Sequence, residues 1–282
     1  MTILDHKVDF AVIFSVHNAN PNGDPLNGNR PRQNYDGYGE VSDVCIKRKI
    51  RNRLQDLGET IFVQSDDRAN DGFKSLNDRA ESVPELKKIK ADKKGSADSF
   101  ALLASENWYD VRAFGQVFAF KGDSLSVGVR GPVSIHPAIS LQPINISSIQ
   151  ITKSVNSVTG DKKGSDTMGM KHRVDFGVYK FVGSINTQLA EKTGFKSEDA
   201  EQLKEALTSL FENDASSARP EGSLEVHNVY WWEHNSKLGQ YSSAKVHRSL
   251  KVDMPEDAKS FDEVTIQLNE LDGLSVYELE GI

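Results

Sequence analysis

Five of the seven residues from Lys47 to Arg53 are cations, namely Lys47, Arg48, Lys49, Arg51 and Arg53, and they follow a loop from His17 to Val41 holding six Asn, four Gly and three Pro. Amide side chains, free backbone N–H groups, a helix start and a run of cations together form the chemistry that holds anions, above all a polyanionic backbone. A loop of this length in a compact domain is rarely only a connection. For the basic run alone, an ordinary solvated helix face is a competing reading. Asp24 and Asp36 in the same loop could ligate Mg²⁺ beside bound RNA and support metal-assisted cleavage. Against this, Asp24 precedes Pro25 and Asp36 precedes Gly37, both common turn settings.

A second polar, glycine-containing segment spans 152–175 between the strand-like ISSIQI and VYKFVGSI. It reads as a protruding β-hairpin with its tip at Thr159 to Ser165 and with Met168, Met170, Lys171 and His172 on the returning arm. Flexible apolar side chains beside cations could wedge between bases while the cations hold phosphates. A mobile surface loop would show the same composition. GVRG at 128–131 also matches the short GxxG clamp of some RNA-binding loops.

Other chemistries fail for want of residues. There is no GxxxxGK[ST] phosphate loop, no GxSxG elbow and no HExxH, and the seven His lack metal-ligand spacing. The single Cys45, between Val44 and Ile46, reads as a partly buried thiol. His227 and His234 read as strand-surface or core histidines. No cofactor is implied.

Elements must position the cations. A helix is expected from Ser42 or Asp43 to about Leu57, with Gly58 after its end. Ile46, Ile50, Leu54 and Leu57 recur at helical spacing toward a core, and Lys47, Arg48, Arg51 and Asn52 take the other side. Before it, Val8, Phe10, Val12, Phe14 and Val16 alternate with Asp9, Ala11, Ile13 and Ser15 as a strand with one fully apolar face. A polar surface insertion covers about 64–98, with a short helix from Leu76 to Lys90 interrupted near Pro84. Further expectations are a helix from Asp98 through Val111, strands at 116–120 and 124–135 broken by Gly128 and Gly131, a helix from Ser197 to Glu212 and strands at 223–234, HRSLKVDM and VTIQL. With 64–98 and 152–175 set aside as insertions, the order is strand, helix, strand, strand, helix, strand, the ferredoxin-like or RNA-recognition-motif topology.

At 282 residues and 37% hydrophobic content the chain can bury a real core. No apolar run approaches the roughly 20 residues of a membrane span and no signal-peptide pattern opens the chain, so a cytoplasmic protein without membrane contact is expected. The net charge of −7 is unevenly spread: residues 1–188 carry 25 Lys and Arg against 22 Asp and Glu, and 189–282 carry 9 against 19. Binding responds to potential within about 8 Å at physiological salt, so a basic groove can coexist with an acidic back.

The strings NPNGDPLNGNRPR, VSDVCIKRKIRN, DVRAFGQVFAFKG, SVGVRGPVSIHPAIS and TMGMKHRVDFGVY, in this order, together resemble the guide-RNA-binding backbone subunit of type I-C CRISPR surveillance complexes (Cascade). The resemblance implies an α+β fold, a modified ferredoxin-like or RNA-recognition-motif palm, making one hand-like domain over 1–282. A helical fingers insertion at 62–110 and a β-hairpin thumb at 152–175 would lie within it. It implies a non-catalytic scaffold for antiviral defence that stacks head to tail along CRISPR guide RNA, kinks it with the thumb and presents its bases to target DNA. Partners would be the guide RNA, target DNA by way of the guide, copies of itself and other Cascade subunits. Lys47, Arg48 and Arg51 would hold phosphates, supported by Asn18, Asn20, Asn22, Arg30 and Arg32. Arg112 and Arg130 would flank the groove, and Lys153, Met168, Lys171 and His172 would belong to the thumb, with Met168 as wedge. A metal-dependent endoribonuclease using Asp24 or Asp36 is the alternative.

Overall fold

A computed structural model of the chain describes residues 2–91, 96–120, 126–155, 159 and 168–282. The chain begins with strand β1 (Val8–Ala19), the short pair β2 (Gly23–Asp24) and β3 (Arg30–Pro31), strand β4 (Tyr38–Val41) and helix α1 (Asp43–Asp56). Helices α2 (Leu76–Glu81), α3 (Pro84–Ala91), α4 (Ala97–Asn107) and α5 (Tyr109–Phe114) follow. Strands β5 (Gly115–Phe118), β6 (Val127–Arg130), β7 (Val133–Ile135), β8 (Ala138–Pro143), β9 (Ile146–Thr152) and β10 (Met168–Ile185) come next. The last third holds α6 (Thr187–Thr193), α7 (Ser197–Thr208), β11 (Leu224–Glu233), α8 (Ser243–Ser249), β12 (Leu250–Asp253), β13 (Thr265–Leu268) and β14 (Ser275–Glu280). The fold is α+β.

Its centre is one antiparallel sheet in the order β14, β11, β1, β10, β8, β4, with β7 and β9 also paired to β10. Register follows the alternation of β1, with Phe14 opposite Tyr179 on one side and Val226 on the other. Val8, Phe10, Val12, Phe14 and Val16 join the main core with Ile46, Ile50 and Leu54 of α1 and Leu203 and Leu207 of α7. Phe10 stacks on Trp231 at 5.7 Å and Phe14 on Tyr179 at 5.3 Å between ring centroids, adding to their area burial. The opposite face of β1 was expected to be less apolar, yet it is also covered: Ala11 and Ile13 pack with Val178, Tyr230, Trp232, Val246 and Leu250. Asp9 survives there through Lys7 at 3.1 Å and His234 at 2.9 Å, since a buried charge needs such partners.

A separate small core gathers Phe62, Ala80, Leu86, Phe100, Trp108 and Phe118. Pro84 opens α3, as expected of the interrupted helix. The helix expected from Asp98 to Val111 is two helices. Ser96 caps α4, and Trp108 breaks it in an extended conformation while burying its ring against Phe62 at 4.7 Å. Gly131 allows the close backbone approach expected of it: a Cβ there would lie 2.3 Å from the Ala113 carbonyl oxygen. Gly128, by contrast, lies within β6 and breaks nothing.

Two corrections concern the last third. HRSLKVDM is only half strand, because Ser242 caps α8 by accepting from the Lys245 amide at 3.3 Å and helix continues to Ser249. The acidic end, to which no element was assigned, contains β14, an edge strand paired to β11 from Asn228↔Glu280 to Glu233↔Ser275. Among the described residues no helix is long and apolar enough to cross a membrane.

Candidate nucleic-acid interface

Helix α1 forms as its sequence dictates. Ser42 caps it by accepting from the Cys45 amide, Ile46, Ile50 and Leu54 are buried, and Gly58 follows its end at φ +97°. Its cations have partners inside the molecule. Lys47 donates to Asp43 at 3.1 Å, Arg48 to the Val63 carbonyl at 2.6 Å, Arg51 to Asp110 at 2.8 Å and Arg53 to the Ser209 hydroxyl at 2.7 Å. Lys49 is buried and pairs with Asp214. Burial lowers its pKa, with Asp214 opposing. Arg112 is held by Asp199 at 2.6 Å and Glu59 at 3.4 Å, over the Tyr109 ring. Arg130 is exposed at the end of β6 with no ion pair among the described residues, and Lys153 is exposed beyond β9.

The loop before α1 is largely self-supporting. The Asn22 side-chain oxygen Oδ1 accepts from the Ser42 amide at 3.0 Å and hydroxyl at 2.9 Å, tying the loop to the helix cap. Buried Asn20 donates to the Asn29 carbonyl at 2.7 Å, and its backbone amide donates to Ala218 at 2.9 Å. Asn18 is exposed in the left-handed region at φ +53°. Asp24 accepts from the Leu26 amide at 3.2 Å and lies 3.6 Å from Arg32. Asp36 is exposed in a turn whose amide donates to the Asn34 side chain. Among the described residues no group of three or more His, Cys, Asp or Glu is placed to hold a metal.

The hairpin forms between β9 and β10. Its registered pairs run from Met168↔Thr152 to Val174↔Ile146, and the expected tip, apart from Thr159, lies outside the described residues. Alternation puts Met168, Met170 and His172 on one face and Lys171 on the other, beside Ile149. Met168 is 63% and Met170 55% exposed. Arg30 reaches across from the loop, donating to the Ser148 hydroxyl at 2.8 Å and lying 3.3 Å from His172 Nδ1. A guanidinium only donates, so His172 Nδ1 is the acceptor and the ring proton sits on Nε2. A cavity of about 300 Å³ lies where loop and hairpin meet, lined by Asn20, Asn29, Ile151, Met170, Lys171, His172, Ser217 and Ala218.

This arrangement gathers amides, the Arg30 guanidinium and exposed thioethers around the ribbon, with Lys171 on its other face, which suits a polyanion carrying flat bases. A family model described as CRISPR-associated protein Cas7 matches residues 6–269. The chain belongs to the Cas7 family. A CRISPR-associated protein Cas7 of Haloferax volcanii is 26% identical over 294 positions, covering 96% of this chain and 83% of its own. Two solved chains are also similar. One, from a "CRISPR RNA-guided surveillance complex, pre-nicking", is 16% identical with a TM-score of 0.49 over 80% of this chain and 78% of its own. The other, from a "CRISPR RNA-guided surveillance complex", is 16% identical with a TM-score of 0.43 over 80% and 68%.

Within this Cas7 family member the structure brings together Asn20, Arg30, Lys171 and His172 of the expected residues. Lys47 instead pairs with Asp43 on its own helix, and Arg48, Arg51 and Arg112 join other parts of the molecule. Ser148, Ser217 and Ala218 escaped the sequence reading, since small polar and apolar residues carry no signal until a fold places them.

Proposed function

We propose that the chain is a non-catalytic scaffold that binds CRISPR guide RNA as the backbone subunit of a Cascade-type surveillance complex, of type I-C. The observation that carries this reading is the hairpin: over Met168–Arg173, β10 pairs with β9 alone and carries exposed methionines beside Lys171, His172 and the docked Arg30. Membership of the Cas7 family supports it. The strand order β11, β1, β10, β8, with α1 and α7 on one face, supports an RNA-recognition-motif palm. The small core of Phe62, Phe100 and Phe118 supports fingers at 62–110, and the β9–β10 ribbon a thumb at 152–175.

In this reading copies stack head to tail, a heterologous contact that does not close and so makes a filament along the guide. The thumb kinks the RNA with Met168 as wedge, and the intervening bases pair with target DNA. Other Cascade subunits would complete the assembly in the cytoplasm, in antiviral defence. Arg30, Arg130, Lys171 and His172 are the phosphate donors within easiest reach, and Lys153 belongs to the same thumb. Lys47, Arg48, Arg51 and Arg112 would join them only by exchanging their internal partners.

Purification from a host transcribing the guide tests the proposal. Large particles with a nucleic-acid-rich ultraviolet absorbance ratio, dispersed by high salt, are expected. A nucleic-acid-free monomer obtained at low salt overturns it.

A further inference from the structure

Lys49 is a cation that the site leaves unexplained. It lies 4% exposed on α1, paired with Asp214 and 5.4 Å from the Phe211 ring centroid. Asp214 belongs to the connection between α7 and β11, and accepts a second time from Arg219 Nε at 3.1 Å. The same connection is pinned at Ser216 and Arg219, which exchange backbone hydrogen bonds of 2.8 and 3.1 Å. It then supplies Ser217 and Ala218 to the cavity between loop and hairpin, with the Ala218 carbonyl accepting from the Asn20 amide.

We propose that Lys49, Asp214 and Arg219 are positioning residues that set the wall of the RNA site from beneath, so that Lys49 governs guide binding without touching RNA. This rests on the proposed RNA-binding function. A buried lysine is stable only while its carboxylate partner stays in place. Lys49 therefore fixes where Asp214 sits, and through Asp214 and Arg219 it fixes the turn carrying Ser217 and Ala218. Removing the ammonium frees that turn and the Asn20 side of the cavity.

The test uses the full-length protein freed of nucleic acid and a labelled single-stranded RNA, titrated over a series of salt concentrations. Lys49→Met is expected to weaken binding about fivefold at every salt concentration without changing the slope of log affinity on log salt, because a group that meets no phosphate releases no counterion. Lys171→Ala should instead lower the slope by about 0.7. In the free Lys49→Met protein, hydrogen exchange at the Asn20 amide should accelerate while Val12 and Phe14 of β1 keep their protection. A reduced slope, or wild-type affinity, for Lys49→Met overturns the positioning role. Should that variant fail to fold, Arg219→Gln meets the same carboxylate from its more exposed side and carries the same expectations. Wild-type protein that binds no RNA overturns the proposed function instead. Exchange then decides the positioning role by itself, and an unchanged Asn20 amide overturns it.

Discussion

The cations of α1 and those around the hairpin are the same residue types in opposite situations. On α1 Lys47, Arg48, Lys49, Arg51 and Arg53 each reach a partner within the molecule: Asp43, the Val63 carbonyl, Asp214, Asp110 and Ser209. Around the hairpin, Lys171 stands beside Ile149 and Arg30 rests on a serine and a histidine, neutral partners that leave its charge uncompensated. The difference lies in what surrounds each element. Helix α1 sits between the main core, the small core and the connection before β11, so its polar side is enclosed and its charges must be matched. Over Met168–Arg173 the ribbon has one strand neighbour and, among the described residues, no ion pair. A dense run of positive charge therefore marks a joint in one place, and the sparser set elsewhere keeps its field.

The largest effect that could break this contrast is expected at Arg51. Asp110, 1% exposed, accepts from Arg51 and from the amides of Phe62 at 2.7 Å and Val63 at 3.1 Å. Arg51→Ala leaves that carboxylate buried with its counter-charge gone, and should cost about 3 kcal/mol in urea denaturation. Were stability to hold within about 0.5 kcal/mol while the salt slope of RNA binding fell by about 0.7, α1 would be gripping phosphate and the contrast would collapse.

What could be read in advance was local. The spacing of Ile46, Ile50 and Leu54, the cap at Ser42 and Gly58 place α1 within a residue or two, and the alternation from Val8 to Val16 places β1. The hairpin was legible because a polar, glycine-containing stretch interrupts two strand patterns. The partners of α1 were not legible, because Asp110 lies 59 positions from Arg51 and Asp214 lies 165 from Lys49. Arg30 and His172 meet across 142 positions, and only the family resemblance had grouped them. Strand β14 went unseen because its inward residues, Val276 and Leu279, are few among acids, and pairing to β11 rather than propensity fixes it. In α8 the Ser242 cap outweighed a β-like run, a signal present in the sequence and misread.

A middling effect should sharpen the contrast from the other side. Arg30→Ala with Lys171→Ala removes two uncompensated charges and should reduce the salt slope of RNA binding by about 1.4, roughly two phosphate contacts on a single strand. Stability should stay within about 1 kcal/mol of wild type, since neither side chain is matched to a buried charge. A large fall in the thermal midpoint would instead make the loop-to-hairpin contact a joint like those of α1.

The smallest effect is acid sensitivity, and it should appear away from α1. On the opposite face of the sheet burial lowers the pKa of His227, stacked on Phe261, against the pull of Glu225 and Asp262. Burial likewise lowers that of His247, which donates to the Gly183 carbonyl at 3.0 Å, against the pull of Asp9. Both stay neutral in the folded protein at a pH where the unfolded chain, with ordinary imidazoles near 6.5, already binds protons. Stability therefore falls as pH drops below that value toward the lowered folded pKa values. The fall should be seen as faster hydrogen exchange in α8, β12 and β13, and His247→Gln should reduce it. The ion pairs of α1 join lysine or arginine to aspartate and involve no imidazole, so they should persist through this window. Exchange that accelerated first in α1 would make its pairs the acid-labile part of the molecule, and α1 could then no longer stand as the rigid term against which the open hairpin is measured.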